Sequence, residues 1–208
     1  MRVVTTQEIR HLEERLGSLY QCPEEERILT AGRNSAHAIL EWTAQRCPFL
    51  PEKSTFWILA GSGKNGADAW VAAETLARAG KTVCLADFSA EKRPPIPKCL
   101  GNEVTSGKLF PVWDMADPPL QAMMLDALET GDGICIDGLV GIGLHGPLRE
   151  NLQPVVTSLQ LRRIPIISLD IPSGLDADTG KGTLVVPADL TLTMGCVKQG
   201  MLLNRGLE

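Results

Sequence analysis

The chain has 208 residues, which is enough for one α/β domain with a sizeable hydrophobic core. Charged residues make up 22% of it and hydrophobic residues 44%, which are ordinary proportions for a soluble globular protein. The formal net charge of −5 gives no electrostatic reason to expect binding to nucleic acid or to an anionic membrane.

The sequence also lacks targeting and membrane signals. No apolar run approaches the roughly 18 residues of a membrane-spanning helix, and the first four residues do not begin a signal peptide. The six cysteines show neither a CxxC pair nor another metal-binding spacing. Because Cys84 and Cys135 stand inside apolar runs, where buried thiols are common, a reducing cytoplasmic location is the simplest expectation.

Two helices are predicted at the start of the chain. Residues from Thr6 to Leu19 have apolar side chains at helical spacing, and Glu8 strengthens the helix-start signal. A second helical pattern covers residues 23–46 and ends before Cys47-Pro48.

The central motif reads strand, Gly-rich turn, helix. The apolar run Thr55–Ala60 predicts a buried strand, and residues 69–79 predict a helix that ends before Gly80. Between them, Gly61 and Gly63 permit a tight turn and a close approach to the backbone, as anion-binding helix N-termini need. Asp68 stands where the helix is expected to begin, so N-capping is the alternative to a role in ligand binding.

The motif departs from the common nucleotide-binding signatures. Gly61, Gly63 and Gly66 have GxGxxG spacing, but Ala67 and Ala69 stand where further glycines might, so a Rossmann dehydrogenase fits poorly. GxxxxGK[ST] is absent from residues 61–68, so a P-loop NTPase fits poorly too. A second buried strand, Thr82–Asp87, completes a right-handed parallel crossover. Asp87 at its end either binds a ribose hydroxyl or caps the strand end.

The remaining elements also suit an α/β sheet in a single domain spanning residues 1–208. Buried strands are predicted at residues 133–137 and 165–170, and shorter strands at 109–112 and 189–194. Helices are predicted at residues 119–129 and 148–161, whereas residues 88–108 are Pro-rich and predict no long helix. Residues 195–200 are predicted to be a loop that carries Lys198.

Three strands end in loops with acidic residues or glycines, at residues 61–68, 137–147 and 170–173. Because ligands bind outside the carboxyl ends of strands in open α/β sheets, we expect these loops to form one crevice. Helix capping by Asp137 and Asp170 is the alternative. Asn65, Asp137 and Ser173 offer hard oxygen ligands, which suit a monovalent or hard divalent cation better than zinc.

These segments resemble the N-terminal domain of the YjeF family, the NAD(P)HX epimerases. The resemblance rests on residues 61–68, 137–147 and 185–193 and, most specifically, on residues 170–180 with Lys198 and Gly200. It covers nearly the whole chain. It implies a Rossmann-like three-layer αβα sandwich with a mostly parallel central sheet, often assembled as a homodimer.

The resemblance also implies an activity and its site. Family members interconvert the R and S epimers of hydrated NADH and NADPH, and a dehydratase, separate or fused, then restores the reduced cofactor. The resemblance implies a potassium ion held at Asn65, Asp137 and Ser173. The positions that match the family's nucleotide-binding residues are Lys64, Asn65, Gly66, Ala67, Asp68, Gly141, Ile142, Gly143, Leu144, His145, Gly146, Pro147 and Asp170.

The chain departs from the family pattern in three places. Lys64 replaces an amide and is expected either to pair with a phosphate or to occupy the cation site. Ala67 replaces a glycine and, if the backbone needs a positive φ there, costs about 1 kcal/mol. Residues 28–32 match the family's Met-Glu-Asn-Ala-Gly segment but lack its polar Glu-Asn pair. A nucleotide-binding or protein-interaction module with weak or no epimerase activity is therefore the alternative function.

The expected chemistry requires the C6 hydroxyl of the hydrated ring to leave and return, which needs an acid and a base. We expect Asp170 to be the acid/base group, because its strand ends in a buried apolar run that partly desolvates the carboxyl group. We expect Lys198 to orient the substrate or to favour the ionised form of Asp170, with a solvated loop lysine as the alternative. The potassium ion would fix the three loops.

Overall fold

The computed structural model describes residues 2–89, 93–130, 133–161 and 163–207. Within these ranges the chain forms eight strands and six α-helices, joined by loops and short 3-10 helices. The strands are β1 (Val3–Val4), β2 (Thr55–Ala60), β3 (Thr82–Asp87), β4 (Val112–Asp114), β5 (Ile134–Gly138), β6 (Ile166–Leu169), β7 (Leu190–Leu192) and β8 (Val197–Lys198). The helices are α1 (Thr6–Leu19), α2 (Glu24–Arg46), α3 (Lys64–Arg78), α4 (Gly101–Thr105), α5 (Pro118–Thr130) and α6 (Gln153–Gln160).

The main sheet of the described ranges has six strands in the order β4-β3-β2-β5-β6-β7, and every neighbouring pair is parallel. The prediction that β2, β3, β5 and β6 are parallel neighbours is confirmed. The chain winds outward from β2 through β3 to β4, and in the opposite direction from β5 through β6 to β7. The order therefore reverses between β2 and β5, and such a switch point opens a crevice at the carboxyl ends of the strands.

Helices cover both faces of the sheet, which confirms the three-layer αβα prediction. Along β2, Phe56 and Ile58 pack in the hydrophobic cluster that contains α2 and α3 residues. The intervening Trp57 and Leu59 pack in the second cluster, together with residues of α5 and α6. This period-two alternation buries both faces of a strand, so the strand reads as a continuous apolar run.

Helix α3 begins five residues earlier than predicted. Its N-cap is Gly63, and Lys64 is the first helical residue. Asp68 therefore lies within the helix, and the N-cap alternative for Asp68 is wrong. The predicted strain at Ala67 is also wrong: Ala67 is helical and does not have a positive φ, and its methyl group is fully buried.

Lys198 lies in a strand and not in the predicted loop. Strand β8 pairs in parallel with β1, with Val3 opposite Val197 and Val4 opposite Lys198. A two-residue strand that pairs with a partner almost 200 positions away leaves no periodic signal in the sequence. The start of the chain thereby helps to position Lys198.

Most other boundaries shift by one or two residues. The strand predicted at 109–112 lies at Val112–Asp114, the one predicted at 189–194 shortens to Leu190–Leu192, and the helix predicted at 148–161 divides into a 3-10 turn, Glu150–Leu152, and α6. Residues 88–108, predicted to form no long helix, contain the five-residue helix α4. Among the helices of the described ranges, none is both long and apolar enough to cross a membrane.

Candidate functional site

A cavity of about 930 Å³ opens at the carboxyl ends of β2, β5 and β6. Its walls come from α1, α2, the start of α3, the loop after β5 and the segment around Asp170 and Lys198. The predicted convergence of the three loop regions on one crevice is confirmed. The volume matches the range of small-molecule and cofactor sites.

Two glycines let the turn after β2 pack closely against its surroundings. A Cβ atom on Gly61 would lie 1.8 Å from the carbonyl oxygen of Leu139, and one on Gly66 would lie 1.8 Å from the carbonyl oxygen of Gly61. The N-terminus of α3 is thereby held against the loop that follows β5. Its first-turn N–H groups lack intrahelical acceptors, as at every helix start, and can receive an anionic ligand.

Lys64 forms ion pairs that join three helices. Its Nζ lies 2.6 Å from Glu24 Oε2 of α2 and 3.4 Å from Glu13 Oε2 of α1. Partial burial disfavours the ammonium form, but the hydrogen bond to Glu24 and the two negative charges outweigh that effect and raise the pKa of Lys64. In this structure Lys64 therefore neutralises carboxylates at the cavity rim.

The cavity wall contains a buried ion pair between Asp170 and Lys198. The Lys198 ammonium, only 1% exposed, donates hydrogen bonds to Asp170 Oδ1, to Thr193 Oγ1 at 3.0 Å and to the Met194 carbonyl oxygen at 2.9 Å. Asp170 follows β6 with a φ of 64°, a left-handed conformation that Asp tolerates better than most residues. The alternative of a solvated Lys198 is excluded.

Asp68 is a second carboxyl group on the same cavity, and its environment differs sharply from that of Asp170. It is 6% exposed, and no hydrogen bond to its carboxyl group is present in the described part of the chain. Burial and, to a smaller extent, the negative charge of Asp170 raise the pKa of Asp68 to about 8. Asp68 therefore holds its proton at neutral pH.

Asp137 and Ser173 lie together beneath the cavity wall, and both are fully buried. Ser173 Oγ is 2.6 Å from Asp137 Oδ1, and the Ser173 N–H donates to Asp137 Oδ2 at 2.9 Å. Ser168 Oγ and the Leu139 N–H also donate to this carboxyl group. Burial raises the pKa of Asp137, and these four hydrogen bonds oppose that shift. The carboxyl group joins the ends of β5 and β6 and does not cap a helix.

Asn65 supplies the clearest indication of an additional ligand. Its Oδ1 and Nδ2 atoms are both buried without a hydrogen-bond partner within the described ranges. Leaving such atoms unpaired costs about 1–3 kcal/mol, unless a ligand, ion or water satisfies them. Amide, carboxylate and hydroxyl oxygens fit a hard monovalent cation, and the described residues contain no group of three His, Cys, Asp or Glu side chains that could hold a metal ion.

The loop after β5 forms another part of the cavity wall, next to the start of α3. Arg149 beyond this loop donates a long hydrogen bond to Ser62 Oγ, 3.4 Å, and so links it to the Gly-rich turn. The loop residues that line the cavity are Gly141, Ile142, Gly143, Leu144, His145 and Pro147.

The cavity brings together eleven of the predicted site residues: those six, together with Lys64, Asn65, Asp68, Asp170 and Lys198. Gly66 and Ala67 pack behind the wall, Gly146 does not line it, and Asp137 and Ser173 are buried below it. Asp87 does not line the cavity, and its Oδ1 accepts a hydrogen bond from the Ser89 N–H, 2.9 Å. The strand-end cap is therefore the observed role of Asp87.

The sequence did not reveal several residues of the site. Arg10 and Glu13 of α1 and Arg27 of α2 line the cavity, although no motif in the sequence pointed to them. Helix α1 is held over the site because the Thr6 N–H donates to Asp178 Oδ1 at 2.6 Å. The only feature of the sequence that pointed to this contact was the pair of acidic residues in the segment 176–178.

Comparisons with known proteins agree with this geometry. The family model described as YjeF-related protein N-terminus matches residues 25–200. An NAD(P)H-hydrate epimerase of Rhodopirellula baltica is 30% identical over 202 residues, which cover 95% of this chain and 76% of that protein. A bifunctional NAD(P)H-hydrate repair enzyme of Leishmania braziliensis is 34% identical over 152 residues, which cover 73% of this chain and 26% of the relative.

The crystal structure of the yeast protein ynu0 (YNL200c) has the same fold. It superposes with a TM-score of 0.81 at 19% sequence identity and covers 99% of this chain and 86% of the yeast chain. The matched region spans only about a quarter of the bifunctional relatives, such as the Leishmania protein. A family model that matches most of the chain shows its membership, so this chain belongs to the family of YjeF-related N-terminal domains.

Proposed function

We propose that this protein is an NAD(P)H-hydrate epimerase, an isomerase that interconverts the R and S epimers of hydrated NADH and NADPH. The observation that carries the proposal is the buried Asp170–Lys198 pair on a cavity at the switch point of the sheet. Relatives with 30–35% identity are named for this activity. Helix α3, with its N-terminus at the same cavity, supplies a site for the nucleotide phosphates.

In the proposed reaction, the ring nitrogen of the hydrated nicotinamide supplies the electron pair that expels the C6 hydroxyl group as water. Water then returns to either face of the ring. Asp170 is the proposed catalytic carboxylate, and the hydrogen bond from Lys198 fixes its orientation. The loop of residues 141–147 and the first turn of α3 enclose the nucleotide.

A potassium ion is the proposed cofactor, held by Asn65, Asp137 and Ser173. The unpaired amide of Asn65 supports this assignment. A bound monovalent cation would supply fixed positive charge that holds the loops after β2, β5 and β6 together. Lys64 does not compete for this role in the structure, because its ammonium binds Glu13 and Glu24.

We further propose that the protein acts as a cytoplasmic homodimer beside a dehydratase that consumes the S epimer. Relatives that are named bifunctional NAD(P)H-hydrate repair enzymes support the dehydratase partner.

Turnover of purified epimer tests the function. The protein is mixed with R-NADHX, and the S epimer is followed by chromatography against a protein-free control and against Lys198→Ala. An epimerase produces S-NADHX faster than both controls. A nucleotide-binding or protein-interaction module, the second candidate, would show a nucleotide-dependent rise in melting temperature without turnover.

A further inference from the structure

Asp68 matches one of the family's nucleotide-binding positions, but its buried carboxyl group has no chemical role in the reaction proposed above. It reaches the cavity from the second turn of α3 and is 6% exposed. Within the described ranges no donor binds it. A buried carboxyl group without a partner is costly, so its position on the wall of a ligand cavity requires an explanation.

Helix α2 packs closely against α3 beside Asp68 and limits the exposure of this residue. A Cβ atom on Gly32 of α2 would lie 2.6 Å from the Asp68 carbonyl oxygen, so the two helices are in backbone contact at this point. Helix α2 also lines the cavity with Ile28, Ala31 and Arg27. The Arg27 guanidinium already donates to the Cys22 carbonyl oxygen at 2.7 Å.

The charged groups that act on Asp68 come from several elements. Asp170, after β6, and Glu13 of α1 disfavour its ionised form, whereas Lys64 of α3 favours it. Lys64 is largely neutralised by Glu24 and Glu13. Glu24 of α2 and Lys198 of β8 also line the cavity, and Lys198 is committed to Asp170.

Two carboxyl groups therefore share one cavity in opposite environments. Asp170 accepts hydrogen bonds from the Lys198 ammonium and from the Met194 N–H at 3.2 Å, so its carboxyl group has two donors. Burial and the neighbouring negative charges favour the neutral, protonated form of the Asp68 carboxyl group. Environments that separate two acids in this way identify one as a proton donor and the other as a base.

Resting on the proposed epimerase function, we propose that Asp68 is the general acid that protonates the leaving hydroxyl group, with Asp170 as the base for the returning water. The Asp68 proton passes to the C6 oxygen, the C–O bond breaks, and the ring-nitrogen electron pair forms a C=N bond. Water then adds to C6 from the other face, its proton passes to Asp170, and the electron pair returns to nitrogen. Asp68 regains a proton and Asp170 releases one by exchange with solvent, so the reaction needs no oxidant or reductant.

Asp68→Asn tests this role, because the amide keeps the size of the side chain but cannot donate an acidic proton. R-NADHX turnover is measured from pH 6 to about 9.5 for the wild type, for Asp68→Asn and for Asp126→Asn, a matched control on the exposed face of α5. We expect Asp68→Asn to lose about 10²–10⁴-fold in rate and Asp126→Asn to lose none. The wild type should lose activity as the pH rises through about 8, and residual Asp68→Asn activity should not show that limb.

A spectroscopic measurement tests the protonation independently of activity. Between pH 7 and about pH 9 the wild type should lose an infrared carbonyl band of a protonated carboxyl group, and the same pH difference spectrum of Asp68→Asn should lack that band. Asp137, whose pKa is also raised, is present in both proteins and cancels in the comparison. The melting temperature and NADP⁺ binding report whether the variant is folded.

The outcomes separate this role from the proposed function. If the wild type turns over and folded Asp68→Asn keeps both its rate and the alkaline limb, the acid role is overturned and the epimerase proposal stands. If Asp68→Asn does not fold, a wild-type protein that loses no such infrared band between pH 7 and about pH 9 overturns the acid role, and one that loses the band and shows the alkaline limb supports it. If the wild type binds nucleotide without turnover, both proposals are overturned.

Discussion

The ammonium group of Lys198 donates a hydrogen bond to the carboxylate of Asp170 within the cavity wall, although the two residues lie 28 positions apart. Lys198 comes from β8, whose partner strand is β1 at the start of the chain, and Asp170 follows β6 of the main sheet. The geometry of the proposed catalytic pair therefore depends on two separate sheets. It also means that neither charge can be removed alone without leaving the other one buried.

The first prediction concerns that ion pair. Asp170→Asn leaves the buried Lys198 ammonium with neutral acceptors only, among them Thr193 Oγ1 and the Met194 carbonyl oxygen, and loss of the opposite charge should cost about 3–5 kcal/mol in free energy of unfolding. Asp170→Asn combined with Lys198→Met should recover most of that stability while remaining inactive. Urea unfolding of the wild type, both single variants and the double variant gives the coupling energy. A coupling energy near zero would contradict a buried ion pair.

The same variants separate the roles in turnover. Asp170→Asn, where folded, should lose about 10²–10⁴-fold in epimerisation. If it keeps near-full turnover while Lys198→Ala abolishes it, the lysine carries the proton instead.

The second prediction compares two glycines of the turn after β2. Gly66→Ala places a methyl group 1.8 Å from the Gly61 carbonyl oxygen, so α3 must move, at a cost of about 1–3 kcal/mol or more. Gly63→Ala is the matched control, because no atom lies within 4 Å of its Cβ position and its φ is −98°. The control should cost no more than about 1 kcal/mol. Equal denaturation midpoints for the two variants would contradict the close packing of this turn.

Local patterns predicted the sheet well because its central strands are buried on both faces. Thr55–Ala60 and Thr82–Asp87 have the predicted bounds, and their parallel pairing followed from the strand–helix–strand order. The start of α3 was misplaced because Gly66 and Asp68 have poor helix propensity, whereas tertiary packing against Gly61 and α2 stabilises a helix there. Strong local signals therefore predicted the central strands of the sheet. They did not predict where α3 begins, and this helix end forms part of the site.

The sequence predicted which residues form the site, but it did not predict the burial and the hydrogen-bond partners of each one. Asp170 was expected to be the partly desolvated acid, but the structure gives it a buried ammonium partner and leaves Asp68 isolated. The environments of Asp170 and Asp68 depend on β8, on its pairing with β1 and on the packing of α2 over the site. All three are contacts between distant segments, which the spacing of residues in one sequence cannot reveal.

The third prediction concerns the cation. At constant ionic strength, replacing tetramethylammonium with potassium should raise the melting temperature of the wild type, because a ligand that binds the folded state stabilises it. Asn65→Ala removes the unpaired amide and should abolish most of that rise. Asn34→Ala, on an exposed position of α2, is the control and should keep it. A rise that is unchanged in Asn65→Ala would place the potassium elsewhere.

The fourth prediction concerns the ion pairs through which Lys64 restrains α1. Lys64→Asn removes the ion pairs to Glu13 and Glu24, and because these side chains are about one-third to one-half exposed, the stability loss should stay below about 1 kcal/mol. The amide hydrogens of α1 should nevertheless exchange faster, because Glu13 loses its partner and is repelled by Glu24. Arg78→Gln, which removes the exposed Arg78–Glu74 pair on α3, should leave α1 exchange unchanged. Unaltered α1 exchange in Lys64→Asn would show that this pair does not restrain the helix.

The fifth prediction follows from the raised pKa of Asp68. The pKa of about 8 in the folded chain exceeds the ordinary value of 3.8, so between these pH values the folded state binds more protons than the unfolded state. The free energy of unfolding should therefore fall as the pH rises through this window, by at most about 1.4 kcal/mol per pH unit from this group. Asp68→Asn removes the contribution, so the difference in stability between variant and wild type should grow in favour of the variant from pH 5 to pH 8. Urea unfolding at half-unit pH steps measures both curves, and contributions from other groups, such as Asp137, cancel in the difference. Parallel curves would mean that Asp68 is ionised throughout, and they would remove the physical basis for a proton held on this side chain.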